Sequence, residues 1–158
     1  SLFNSILGVD RAIVSNIPGT TRDTVESLFD LNGISVCLID TAGVWEADDF
    51  LDRLGIQKTL DSIEGADLCL IVDEDDPSGL LKSNFSKHKK DHFVLIRSKC
   101  DLNNSILELD KNVFSVSSET GLGIDKLLTY ISTYIVDNVN SPAVLDHVFV
   151  TRRQRNLL

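Results

Sequence analysis

Basic charge is scarce in this chain. Its 158 residues carry 15 Lys and Arg against 24 Asp and Glu, a formal net charge of −9. A dedicated nucleic-acid surface is normally basic, so the balance argues against one here, though not against RNA contact through another domain. Paired cysteines are missing as well. Cys37, Cys69 and Cys100 stand alone with no CxxC spacing, and the first two lie inside apolar runs. Buried free thiols in a reducing compartment are therefore expected, over a disulfide framework or a zinc site. His88, His92 and His147 are scattered and offer no metal or triad spacing. No apolar run of about 18 residues and no signal-peptide core occurs, so no membrane association is expected and the chain reads as cytoplasmic. Internal repeats and low-complexity tracts are absent too.

What is present is ordinary globular material, 42% hydrophobic and 25% charged, long enough for one domain. SLFNSILG places Leu2, Phe3, Ile6 and Leu7 on one helical face, with Gly8 as the stop. Thr24–Leu31 alternates loosely, Asn32-Gly33 is a type I′ turn signal, and Ile34–Ile39 is strongly β-forming; together they predict a hairpin. A helix is expected from about Gly55 to Glu64. Asp67–Val72 is a continuous apolar run, as in a parallel strand buried on both faces. His92–Ile96 and Val113–Val116 are further strands, with a polar, basic helix and loop over Pro77–Lys90. Gly123–Val136 carries Ile124, Leu127, Leu128, Ile131 and Ile135 at helical spacing. The order predicts an α/β fold, a doubly wound, mostly parallel sheet with one antiparallel edge hairpin.

Two stretches carry the chemistry. VSNIPGTTRD, Val14–Asp23, is a polar loop in which Pro18-Gly19 precedes two adjacent hydroxyls, Thr20 and Thr21. LIDTAG, Leu38–Gly43, is a strand running into Asp40, whose carboxylate would sit at the strand's carboxyl end, where open α/β sheets bind ligands. A hydroxyl and a carboxylate are hard oxygen ligands suited to Mg²⁺ that also keeps water and phosphate oxygens. Gly43 lets a backbone N–H approach an anion closely. The two segments are expected to bracket the γ-phosphate of a nucleotide.

NIPGTTRD, LIDTAG, SKCD and SSETGLGID, in that order, resemble the motifs of the translation-factor class of GTPases. SLFNSILG, the GTTRD loop and GIQKTLDSIEGADL narrow the resemblance to the G domain of the MnmE (TrmE) family of tRNA-modification GTPases. In that family SLFN directly follows a GxxxxGK[ST] phosphate loop, so Ser1 corresponds to the residue just after the magnesium-binding hydroxyl. The resemblance thus implies a piece of a longer protein, with a G domain over 1–137 lacking its first strand and phosphate loop. A linker over 138–146 and the start of a helical domain over 147–158 follow.

The resemblance implies a role for each motif residue. Thr21 would coordinate Mg²⁺, Asp40 would hold it through a water, and Thr41, Ala42 and the Gly43 N–H would meet the γ-phosphate. Ser15, Asn16, Ile17, Pro18, Gly19 and Thr20 form the rest of the nucleotide loop, with the carbonyls of Ser15 and Ile17 and the Thr20 hydroxyl as K⁺ ligands. The family's water-positioning Glu falls at Asp52, one methylene shorter; a solvated switch residue is the competing reading there. Ser98-Lys99-Cys100-Asp101 corresponds to the base-reading NKxD motif. A carboxylate accepting two N–H donors selects guanine over adenine, which lacks that donor pattern. Ser98 replaces the family's Asn, an expected deficit of about 0.5–1.5 kcal/mol, roughly three- to tenfold in affinity. Ser117, Ser118 and Glu119 correspond to the loop that touches the base mainly by backbone.

The function so implied is Mg²⁺-dependent, K⁺-stimulated hydrolysis of GTP to GDP, in a protein that dimerises through its G domain. Its family partners an FAD-dependent protein to modify the wobble uridine of tRNA. Two alternatives stand beside it. A nucleotide-gated interaction module with little hydrolysis is motivated by Asp52 and Ser98. A phosphoacceptor receiver domain is suggested by Asp73–Asp76 and Lys99, but leaves the GTTRD and DTAG loops unexplained. Blander readings also apply: a loop Thr pair, Asp40 capping a turn, Lys99 and Asp101 as a surface ion pair, and Asp73–Asp76 as a solvated loop. Trp45 stands alone in a polar loop, and a place at a dimer face is left undecided.

Overall fold

The computed structural model describes residues 2–8, 25–40, 61, 63–85, 92–102, 112–138 and 146–152. The chain's middle strand is β3, Leu68–Asp73, in which every side chain is buried; a strand covered on both faces has no polar side to show. Beside it β4, Phe93–Arg97, and then β5, Val113–Ser115, run parallel. On the far side lies a hairpin of β1, Val25–Leu31, and β2, Ile34–Asp40. In β1, buried Ser27, Phe29 and Leu31 alternate with more exposed neighbours, as in an antiparallel edge wet on one face. Asn32 at φ 56° and Gly33 at φ 85° make its turn, the two positive values a type I′ turn requires. The Gly33 N–H donates to Asp30 Oδ1 at 3.0 Å.

β6, Asp146–Arg152, completes a six-stranded sheet of order β1-β2-β6-β3-β4-β5. It runs parallel to both neighbours, with Cys37 opposite His147 on one side and Cys69 opposite Phe149 on the other. This corrects the helical expectation for 147–152. Val148, Phe149, Val150 and Thr151 are β-branched or aromatic residues, and the facing edges of β2 and β3 would otherwise leave backbone groups without partners.

Helices cover both faces. α1, Leu2–Gly8, buries Leu2, Phe3 and Ile6. α3, Ile124–Asn138, buries Ile124, Leu127, Leu128, Ile131 and Ile135, the residues its periodicity picks out. Both pack in one core with Leu68, Leu70, Val72, Val94 and Ile96. On the opposite face α2, Pro77–Phe85, sets Leu80 and Phe85 against Cys69, Ile71 and Ile63; residues 63–65, the described end of the helix expected over 55–64, are helical. Cys37, Cys69 and Cys100 are buried free thiols. Burial pushes the Cys69 thiol up to about 12, which keeps it protonated and unreactive at physiological pH.

α2 starts at a built cap. Asp76 Oδ1 accepts the Gly79 N–H at 2.8 Å, and Pro77 takes the first helical position. A Cβ on Gly79 would collide with that carboxylate, so glycine lets the cap close over the helix end. Asp76→Ala should lower stability by about 1 kcal/mol, read as a lower urea midpoint at an unchanged denaturant slope.

Candidate functional site

Parallel pairing decides where the loops gather. β2, β3, β4 and β5 all point the same way, so the residues after Asp40, Asp73, Arg97 and Ser115 leave the sheet at one edge, where open α/β sheets bind ligands. An open cleft of ≈ 380 Å³ lies there, lined by Leu2, Val72, Ser98, Lys99, Asp101, Leu102, Ser118 and Glu119.

One wall is the turn after β4. Ser98 is 8% exposed, and its N–H donates to the Asp73 carbonyl at 2.9 Å. Lys99 sits in the left-handed region at φ 54°, which bends the chain so that the Leu102 N–H reaches the Lys99 carbonyl at 3.0 Å. Cys100 is 5% exposed and its N–H donates to the Val116 carbonyl at 3.1 Å. Burial, and secondarily the Asp101 charge, raise its thiol pKa, so it serves as an inert anchor. With the middle residue turned inward, Lys99 and Asp101 on either side of it face the cleft.

The second wall is the 117–123 loop between β5 and α3. Fully buried Ser117 closes it: its N–H donates to the Leu122 carbonyl at 2.9 Å, its carbonyl accepts from Gly121 N–H at 3.0 Å, and its Oγ accepts from Thr120 N–H at 3.1 Å. Gly121 and Gly123 each stand at φ 77°. Ser118 and Glu119 are thereby carried to the cleft, and Ser5 Oγ of α1 donates to the Ser118 carbonyl at 3.1 Å. This ties the first helix to the loop.

The family described as 50S ribosome-binding GTPase matches the chain over residues 1–117. This chain belongs to that family. It is 38% identical over 143 residues to the tRNA modification GTPase MnmE of Acinetobacter baumannii, covering 85% of this chain and 32% of that protein. Its likeness to the MnmE of Dinoroseobacter shibae is 38% over 150 residues, 94% of this chain and 32% of the relative. For the MnmE of Thermosipho melanesiensis it is 33% over 161 residues, 100% and 36%. The chain thus spans about a third of the length of the curated relatives it matches. Among solved structures, the G domain of the T. maritima FeoB iron transporter superposes with TM-score 0.59 at 27% identity, covering 84% of this chain and 88% of that one.

In this GTPase-family chain the cleft brings together Ser98, Lys99, Asp101, Ser118 and Glu119 from two distant loops. Cys100 and Ser117 lie behind it and hold its shape. Asp40 ends β2 at the same edge of the sheet. Ser1, Ser15, Asn16, Ile17, Pro18, Gly19, Thr20, Thr21, Thr41, Ala42, Gly43, Trp45 and Asp52 lie outside the described residues. Leu2, Val72 and Leu102 line the cleft without having been singled out in the sequence, where apolar residues beside a motif look like core.

The acidic run after β3 is more than a solvated loop. Asp73 is 4% exposed and its Oδ1 accepts the N–H groups of Asp75 at 2.9 Å and Asp76 at 2.8 Å, while Asp76 caps α2. Each carboxylate closes a local turn, as Asx residues do. A rule of thumb that charge runs face water has no means of seeing such bonds. Among the described residues no cluster of three or more His, Cys, Asp or Glu could hold a metal.

Proposed function

We propose that this chain is the G domain, over residues 1–137, of a GTP hydrolase that serves wobble-uridine modification of tRNA. The observation that carries the reading is the meeting of Ser98–Asp101 with Ser118–Glu119 around one cleft beside α1. The Asp101 carboxylate accepts two N–H groups of guanine, a pairing adenine cannot offer. The backbone at Ser118 and Glu119 meets the base from the other side. Cys100 and Ser117 hold those two loops at a fixed spacing, so little ordering remains to be done on binding.

Asp40, at the carboxyl end of β2, has the right chemistry and the right edge for a water-mediated hold on Mg²⁺, and Thr21 supplies the matching hydroxyl. A cation held by these two residues would neutralise charge on the phosphates. Ser15, Ile17 and Thr20 are the oxygen donors assigned to K⁺, Thr41, Ala42 and Gly43 would meet the γ-phosphate, and Asp52 would act on the attacking water through a bridging water or a shifted loop. The similarity to MnmE proteins supports dimerisation through the G domain, an FAD-dependent partner protein, tRNA as the eventual substrate, and a cytoplasmic location.

The intact protein should hydrolyse GTP at least about tenfold faster in KCl than in NaCl of equal ionic strength, because a cation at the phosphates acts on developing charge. Equal rates would remove the K⁺ ligands from the proposal. Tight GTP binding without turnover would leave a nucleotide-gated interaction module in its place.

A further inference from the structure

β3 and β4 are paired with Asp73 opposite Arg97, so the residues just past each strand are neighbours at the rim of the cleft. Two features hold them there. Asp73 Oδ1 binds the N–H groups of both Asp75 and Asp76, which fixes the backbone turn through Glu74. The Ser98 N–H to the Asp73 carbonyl clamps the two strand ends together. Glu74 Oε1 then forms an ion pair with Lys99 Nζ, both side chains partly exposed, at 37% and 43%. Lys99 lines the cleft, so its four methylenes run between a backbone fixed by the 98–102 turn and a head fixed by Glu74.

We propose that Glu74 is a positioning residue of the nucleotide site: its carboxylate holds the Lys99 side chain along the rim as a preformed wall for the base. The inference rests on the guanine-nucleotide reading above. A free lysine side chain loses most of its rotamer freedom when a ligand packs on it. A tether in the empty site settles part of that loss beforehand, which is preorganisation. Glu74 touches no reacting atom and acts only through Lys99. An exposed pair has a modest effect and is screened by salt, and both properties define the test.

GDP affinity is measured by calorimetry on the intact protein, at about 0.01 M and about 1 M salt. Glu74→Gln is expected to weaken GDP binding about two- to fivefold at low salt, with wild type and variant converging at high salt. Glu74→Asp should retain part of the wild-type advantage. In a Lys99→Met background, Glu74→Gln should have no further effect. Unchanged or tighter binding by Glu74→Gln at low salt overturns the proposal, as does an equal loss in the Lys99→Met background or one that persists undiminished in high salt. Asp101→Asn and ADP separate the two levels. If GDP binding depends on Asp101 and excludes ADP but ignores Glu74, only the positioning role fails. If wild type prefers GDP no more than ADP, the guanine reading fails and takes this inference with it.

Discussion

Asp101→Asn is expected to lower the affinity of the intact protein for GDP and GTP by more than about a hundredfold. Each hydrogen bond to a charged group contributes about 1.5–3 kcal/mol, and of the two proposed for the carboxylate the substitution removes one and strips the charge from the other. It also turns an amide N–H toward a donor on guanine, leaving two donors facing each other. Xanthine presents a carbonyl where guanine has its amino group, so affinity for xanthosine diphosphate should rise in the same variant. Calorimetric titration with the two nucleotides decides the matter. Asp101 is exposed, so the melting temperature should be unchanged, and a variant that melts normally but still binds GDP like wild type would remove guanine recognition from this cleft.

Gly123→Ala should be the most damaging single-methyl change in the site. Gly123 stands at φ 77°, and a Cβ there would overlap the Ser115 backbone carbonyl oxygen. The left-handed conformation alone costs a side-chain-bearing residue about 1–2 kcal/mol, and overpacking against fixed backbone adds about 1–3 kcal/mol. The melting temperature should fall by about 4–20 °C, given about 2–4 °C per kcal/mol for a chain of this size. Gly121 is the control. It shares φ 77°, but a Cβ there meets nothing within 4 Å, so Gly121→Ala should pay only the conformational cost. Nucleotide binding should follow the same order, because the 117–123 loop delivers Ser118 and Glu119 to the cleft. Equal melting temperatures for the two alanine variants would show that the Ser115 contact does not constrain the loop.

The hairpin turn at Asn32-Gly33, the buried stripe of α3 and the apolar run of β3 were legible because each is written in local sequence. Turn chemistry, a 3.6-residue period and an unbroken hydrophobic stretch depend on neighbours in the chain. Motif order singled out Asp101 and the 117–119 loop, and the structure places Asp101, Ser118 and Glu119 around one cleft. Glu74 was not: nothing in the run DEDD distinguishes the residue that closes a turn, the one that caps a helix and the one that pairs with Lys99. At 146–152 the expectation of a helical start came with the resemblance, and the chain forms a strand there. What settles it is the pair of strand edges waiting for a parallel partner.

Taken alone, the sequence determined the α/β class, the hairpin and the helix faces, since these follow from propensity and periodicity along the chain. Only the tertiary structure decided which loops share a cleft, which carboxylate is buried and bonded, and which strand stands at the centre of the sheet. Those outcomes depend on contacts between residues far apart in sequence, and on the cost of leaving backbone edges and buried polar groups without partners.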